Sequence, residues 1–210
     1  MKKVLLIGDS IRAGYDKSIK ASLEGIADVY FPAENCRFAA YVLRYVADYI
    51  ATAGCEEIDV IHWNAGLWDA LRQFGEEPNT PIEFYKHFIE RVCIRIKRFA
   101  PNAKVIFATS TKVRTEKMDP EVFIRYNEDI ETYNKAAVEV VKRYGFEIND
   151  LYSLSCSLPD SAHSDNVHYY THLGTEAFSK QVLQHISKAL ELNEVPEYKE
   201  VMHEGKPVGF

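Results

Sequence analysis

Three short stretches of this chain carry groups that can do acyl-transfer chemistry. Gly8-Asp9-Ser10 closes an apolar run near the start, Asn64-Ala65-Gly66 closes another, and Ser164-Asp165-Asn166-Val167-His168 precedes the last helical segment. A serine hydroxyl is a weak nucleophile until a base takes its proton. An Asp three residues before a His, in a turn, folds its carboxylate back onto the imidazole, sets the tautomer and stabilises the imidazolium. Ser10, His168 and Asp165 thus supply a nucleophile, a base and an orienter. The oxyanion of such a reaction needs preorganised donors, which the Ser10 backbone N–H and the Asn64 amide would provide. Taken singly, Gly-Asp-Ser marks a turn or helix N-cap, and Asp165-x-x-His168 a surface turn capping a helix. Their combination, each at a strand end or in a loop, is what points to catalysis.

Apolar runs of strand length, rich in β-branched and aromatic residues, fall at 4–7, 29–31, 60–63, 105–108 and 146–148. Helical spacing covers 37–53, with Tyr41, Tyr45, Val46 and Tyr49 on one side, and 81–99, with Phe84, Phe88, Val92, Ile96 and Phe99. It continues over 120–144, ended by Gly145 as a C′ residue, and over 172–191. Five strands alternating with helices predict an α/β domain over 1–192, its five-stranded parallel sheet covered by helices on both faces. Ligands of such sheets sit beyond the carboxyl ends of the strands, which is where Ser10 and Asn64 fall. The tail, 193–210, contains two prolines and shows no period.

Composition narrows the partners. The 210 residues carry a formal net charge of −6, which repels phosphate backbones and argues against nucleic acid. No polybasic cluster favours an anionic membrane. No apolar run approaches the ~20 residues of a spanning helix, and 4–7 is too short for a secretory core. The four cysteines, Cys36, Cys55, Cys93 and Cys156, have no CxxC spacing and read as reduced thiols of a cytoplasmic protein. His163, His168 and His172 with Asp165 suggest a metal, but there is no HExxH frame, so neither metal nor cofactor is expected. The turn after the first strand lacks the glycines of a phosphate loop, and it lacks the second glycine of a nucleophile elbow. Trp63 and His62 read as sheet interior.

Gly8-Asp9-Ser10, the Gly66-x-x-Asp69 turn and Asp165-x-x-His168 resemble the GDSL, or SGNH, hydrolases over most of the chain. The segment RYNEDIETYNKAAVEVVKRYGFEINDLYSL and the following DNVHYYTHLGTEAFSKQV are similar to the second half of the carbohydrate-esterase-like members. The resemblance implies a flavodoxin-like three-layer α/β/α fold and ester or thioester hydrolysis through an acyl-serine at Ser10. It departs from the family pattern twice. The glycine expected after the second strand is missing from Glu34-Asn35-Cys36-Arg37-Phe38, leaving the Arg37 or Cys36 N–H as the oxyanion donor. Trp68 stands where the family's Gly-x-Asn-Asp turn has its asparagine, leaving Asn64 as the substitute. Asp9, Gly66 and Trp68 are lesser candidates for substrate contact. Asp9 is expected to support its turn, and Trp68 to form an apolar wall or sugar platform. Arg37, if it lines the pocket, would hold an acidic group or a sugar hydroxyl.

The sequence thus predicts a cytoplasmic serine esterase acting on small-molecule esters, acetyl esters of carbohydrates foremost. A thioesterase or lysophospholipase, and a catalytically idle domain binding carbohydrate or protein, are the alternatives. A homo-oligomer is left open.

Overall fold

A computed structural model of the chain describes residues 1–204, apart from the Glu56 side chain. In chain order its elements are β1 (Lys2–Ile7), α1 (Ser10–Ala13), α2 (Asp16–Ser22), β2 (Ala27–Tyr30), α3 (Ala39–Ala53), β3 (Val60–Trp63), β4 (Arg72–Gln73), α4 (Ile82–Phe99), β5 (Lys104–Ala108), β6 (Phe123–Ile124), α5 (Asn127–Arg143), β7 (Glu147–Asn149), α6 (Leu151–Ser157) and α7 (His172–Ala189). Five strands form a parallel sheet in the order β2-β1-β3-β5-β7, and β4 pairs with β6 as a separate antiparallel ribbon. The predicted three-layer α/β/α architecture is therefore present.

The strand order explains the layers. The chain steps from β1 outward to β2, then returns past β1 to β3 and continues to β7. Right-handed crossovers place helices on opposite faces when the direction reverses. Accordingly α3, α4 and α5 pack together, while α2 and α6 pack against α7. The reversal leaves a crevice beyond the strand ends between β1 and β3, where Ile7 pairs with Trp63. Val4, Leu5, Leu6 and Ile7 are all buried, each contributing about 1.5–3 kcal/mol of apolar burial.

Two helix faces differ from the expectation. The core side of α3 is Val42, Leu43, Val46 and Ile50. Tyr41, Tyr45 and Tyr49 form a half-buried aromatic row beside it, with ring centroids 4.6 and 6.2 Å apart. In α4 the core takes Tyr85, Ile89, Val92, Cys93 and Ile96, and leaves Phe84 and Phe99 exposed. The expected Val46, Val92 and Ile96 do face the core, and it is the aromatic members of each face that lie at its margin or outside it, because aromatic spacing alone does not say which stripe meets the sheet. The segment read as one helix over 120–144 starts only at Asn127, since β6 occupies its first part.

Trp63 is wholly buried against Phe107, centroids 4.9 Å apart. His62 is buried with Nε2 3.1 Å from the Asn149 amide, and burial lowers its pKa to about 3, keeping it neutral. The four cysteines are free thiols. Among the described residues no helix is long and apolar enough to cross a membrane, and no group of three potential ligands forms a metal site. Of the tail, 205–210 lie outside the described residues. Its earlier part packs on α2, where the Lys199 N–H donates to Ser22 Oγ (2.8 Å) and the Val201 N–H to Ser18 Oγ (2.9 Å).

Candidate active site

Gly8 ends β1 at the crevice, and its lack of a side chain is a packing requirement. A Cβ there would lie 1.9 Å from Asn64 Oδ1. Asn64 leaves β3 beside it, its N–H donating to the Ile7 carbonyl (3.0 Å). Asp9 is the N-cap of α1, accepting the Ile11 N–H on Oδ1 at 3.0 Å. Ser10 is thereby the first residue of a short helix, so its N–H has no acceptor within the helix. Burial raises the Asp9 pKa, while the neighbouring Asn64 amide and the Ile11 N–H pull it the other way.

Residues 158 positions apart meet at this corner: His168 Nε2 lies 2.7 Å from Ser10 Oγ. On the other side of the ring, Nδ1 lies 2.8 Å from Asp165 Oδ2 and 3.0 Å from Oδ1. Asp165 Oδ1 also accepts the N–H groups of Val167 (2.7 Å) and His168 (2.8 Å), the turn anticipated from the three-residue spacing. Burial would raise the Asp165 pKa, but the bonds from the His168 ring and from these two N–H groups outweigh it and hold the carboxyl at about 2. The carboxylate is charged at any working pH. It requires the proton of a neutral imidazole to sit on Nδ1, so Nε2 is the acceptor facing Ser10. Ser10 and His168 are only 6% and 4% exposed. Tyr170 packs on His168 with ring centroids 4.9 Å apart, and its hydroxyl donates to the Ser10 carbonyl.

The loop after β2 is held from below by Arg12, which the sequence reading did not single out. Its buried guanidinium pairs with Asp16 and donates to the carbonyls of Pro32 (2.9 Å) and Glu34 (2.8 Å). Arg37 adopts the left-handed region, φ 42°. That is the conformation for which glycine is the usual residue. The oxyanion role expected for this loop is not supported by its geometry. The Arg37 N–H donates to Asn35 Oδ1 at 2.9 Å, and the Cys36 N–H to the Gly8 carbonyl at 3.1 Å. Of the donors named from sequence, the Ser10 N–H is left without an acceptor among the described residues, while the Asn64 amide bears on the buried Asp9 carboxyl.

Burial also sorts the lesser candidates. Asp9 and Gly66 are buried, Gly66 at φ 147° with Ser110 Oγ 2.5 Å from where a Cβ would sit. Trp68 is half-buried and presents its ring, with Phe38 on it at 5.7 Å. Asp69 accepts the Ala39 N–H that opens α3 (3.0 Å), and burial raises its pKa to about 6. Arg125, brought in by the β4–β6 ribbon, is a second residue the sequence reading missed. It is buried, its Nε donates to the Leu67 carbonyl at 2.6 Å, and its guanidinium lies 5.8 Å from the Trp68 ring. Nothing in the apolar and aromatic letters around it marks it, because the segment reads as the start of a helix.

The arrangement defines the class: a hydroxyl, an imidazole and a carboxylate in line, set at the switch point of a parallel α/β sheet. Solved structures of similar fold carry hydrolase names. A lipase/acylhydrolase from Enterococcus faecalis superimposes with a TM-score of 0.69 over 96% of this chain and 100% of its own, at 20% identity. A GDSL-like lipase from Bacteroides thetaiotaomicron gives 0.67 over 90% and 89%, at 16% identity. A catalytic mutant of an acetylxylan esterase from Geobacillus stearothermophilus gives 0.66 over 88% and 94%, at 14% identity. The chain therefore has the fold of these proteins. No family model and no curated protein sequence matches it.

Proposed function

We propose that this chain is a serine esterase that removes small acyl groups, acetyl foremost, from hydroxyl-bearing compounds such as carbohydrates. The observation that carries the reading is the continuous hydrogen-bonded line from Ser10 Oγ through His168 to Asp165. Ser10 Oγ attacks the ester carbonyl carbon as its proton passes to His168 Nε2. The tetrahedral oxyanion lies against the Ser10 N–H and the Asn64 amide. The C–O bond to the alcohol breaks, the alcohol leaves with the proton from His168, and an acyl-serine remains. Water, deprotonated by the same imidazole, then releases the acid and restores Ser10.

The near-complete burial of Ser10 and His168 favours a small acyl group over a long chain. The acetylxylan esterases of like fold lend this substrate class support.

The test is hydrolysis of a chromogenic acetyl ester and labelling by a fluorophosphonate, each with wild type and Ser10→Ala. Hydrolysis and labelling are expected in the wild type and absent from Ser10→Ala. Equal rates in both proteins overturn the assignment of Ser10. A clear preference for octanoyl over acetyl esters overturns the small-acyl reading.

A further inference from the structure

Beside the reacting groups, two guanidinium groups gather on one indole. Arg125 Cζ lies 5.8 Å and Arg37 Cζ 5.7 Å from the Trp68 ring centre. Arg125 is 4% exposed, yet only its Nε is bonded, to the Leu67 carbonyl. Its two terminal nitrogens have no hydrogen-bond partner among the described residues and are not sealed from solvent. With no protein acceptor, these two nitrogens are free to take one that a ligand brings. Arg12, equally buried, differs in that both of its terminal nitrogens sit on acceptors and only its Nε lacks one. Arg37 is exposed and has no ion-pair partner among the described residues.

Resting on the esterase reading, we propose that Arg125 and Arg37, gathered on Trp68 beside Ser10 and His168, form a subsite for a carboxylate carried by the ester substrate. A guanidinium presents a planar fork that matches a carboxylate, and both forks lie within cation–π range of Trp68. Arg125 stays charged at neutral pH. Burial lowers its pKa to about 10, and Asp9 and Asp165, close enough to act on it, pull in the opposite direction. Neither can itself fill the fork: Asp165 is taken up by His168 and its own turn, and Asp9 makes no hydrogen bond to Arg125. The favoured substrates are then half-esters of diacids, or O-acyl derivatives of hydroxy or sugar acids, over neutral esters.

The experiment compares kcat/KM for two matched pairs by acid release. Ethyl hydrogen succinate against ethyl succinamate places the carboxylate on the acyl side. O-acetyl lactate against O-acetyl lactamide places it on the alcohol side. In the wild type, at least one carboxylate ester is expected to exceed its amide by about tenfold or more, the scale of a charge-assisted hydrogen bond. That ratio is expected to fall toward one in Arg37→Gln and in Arg125→Gln. Loss of shape alone would lower both members of a pair and leave their ratio intact. Arg37 is exposed, so its variant gives a folded readout even if Arg125→Gln does not fold.

Wild-type ratios near one for both pairs overturn the proposal, as does a ratio unchanged in every folded variant. Either failure is distinct from failure of the esterase reading, in which Ser10→Ala would match the wild type on all four compounds.

Discussion

Replacing Asp165 by Asn tests the site at its most exposed assumption, that the carboxylate dictates where the His168 proton resides. The amide oxygen of Asn can still accept the Val167 and His168 N–H groups, so the turn survives. The amide nitrogen, facing His168 Nδ1, instead favours the tautomer with the proton on Nε2, and that nitrogen can no longer accept from Ser10 Oγ. The charge that stabilises the imidazolium is also lost. With Nδ1 2.8 Å from Oδ2, the two charge centres are about 4 Å apart and interact by about 4 kcal/mol at an effective dielectric constant of ~20. That corresponds to about 10³-fold in rate. A second scale, which also counts the Val167 and His168 N–H bonds that Asn keeps, comes from the carboxyl itself. Its displacement from 3.8 to about 2 is worth about 2.4 kcal/mol before screening. With 32% of the side chain exposed, solvent reduces this to about 1.5 kcal/mol, or roughly tenfold. The expected loss in kcat/KM for a chromogenic acetyl ester at pH 8 is therefore about 10³-fold, with a parallel loss in fluorophosphonate labelling. Near-ultraviolet circular dichroism should remain that of the wild type. A folded Asp165→Asn protein that loses less than tenfold in both assays refutes the reasoning.

Three further outcomes follow from the same geometry. Asn64→Ala is expected to lower kcat by about 10²–10³-fold with little change in KM, as loss of one oxyanion donor does, and steady-state kinetics on the acetyl ester read this directly. Asp69 has a folded-state pKa raised to about 6 above an unfolded value of about 3.9, so the folded state holds the proton more tightly. Its contribution to stability is greatest in acid and declines as pH rises, by about 1.4 kcal/mol between pH 5 and 7.5. Urea denaturation of Asp69→Asn should show a correspondingly shallower loss over that range, and identical pH dependence in the two proteins would contradict the assignment. Arg37→Gly relieves a left-handed backbone at a non-glycine residue and should stabilise the fold by up to about 1 kcal/mol. A lowered melting temperature would show that the Arg37 contact with Trp68 outweighs the strain.

Much of the architecture was legible because its signals are local. Strands buried on both faces read as unbroken apolar runs, and the five runs match the five strands of the main sheet to within a residue or two at most ends. Gly8-Asp9-Ser10 and Asp165-x-x-His168 were legible for the same reason: a cap and a turn are set by neighbours two or three residues away. The helix faces were less so. In α3 the tyrosines at 41, 45 and 49 and the aliphatic stripe at 42, 46 and 50 share one period, and only contact with the sheet selects between them. The start of α5 was misplaced because Phe123 and Ile124 are drawn into a ribbon by Arg72 and Gln73, partners distant in the chain.

The sequence by itself determined the sheet, the order of its strands' chemistry, and the three groups that line up at Ser10. The sheet and the two turns follow from periodicity or from bonds spanning a few residues, whereas the pairing of Ser10 with His168, 158 positions away, was read from the combination of the two motifs. Tertiary structure alone decided the oxyanion donors and the walls of the crevice. Whether the Arg37 N–H is free depends on where Asn35 Oδ1 points. Whether Asn64 reaches Ser10's side depends on the missing Cβ of Gly8 in the adjacent strand. The gathering of Arg125 and Arg37 on Trp68 joins three loops with no common sequence signal. Hydrogen-bond direction and long-range proximity have no period along the chain, so they become readable only when the strands are laid side by side.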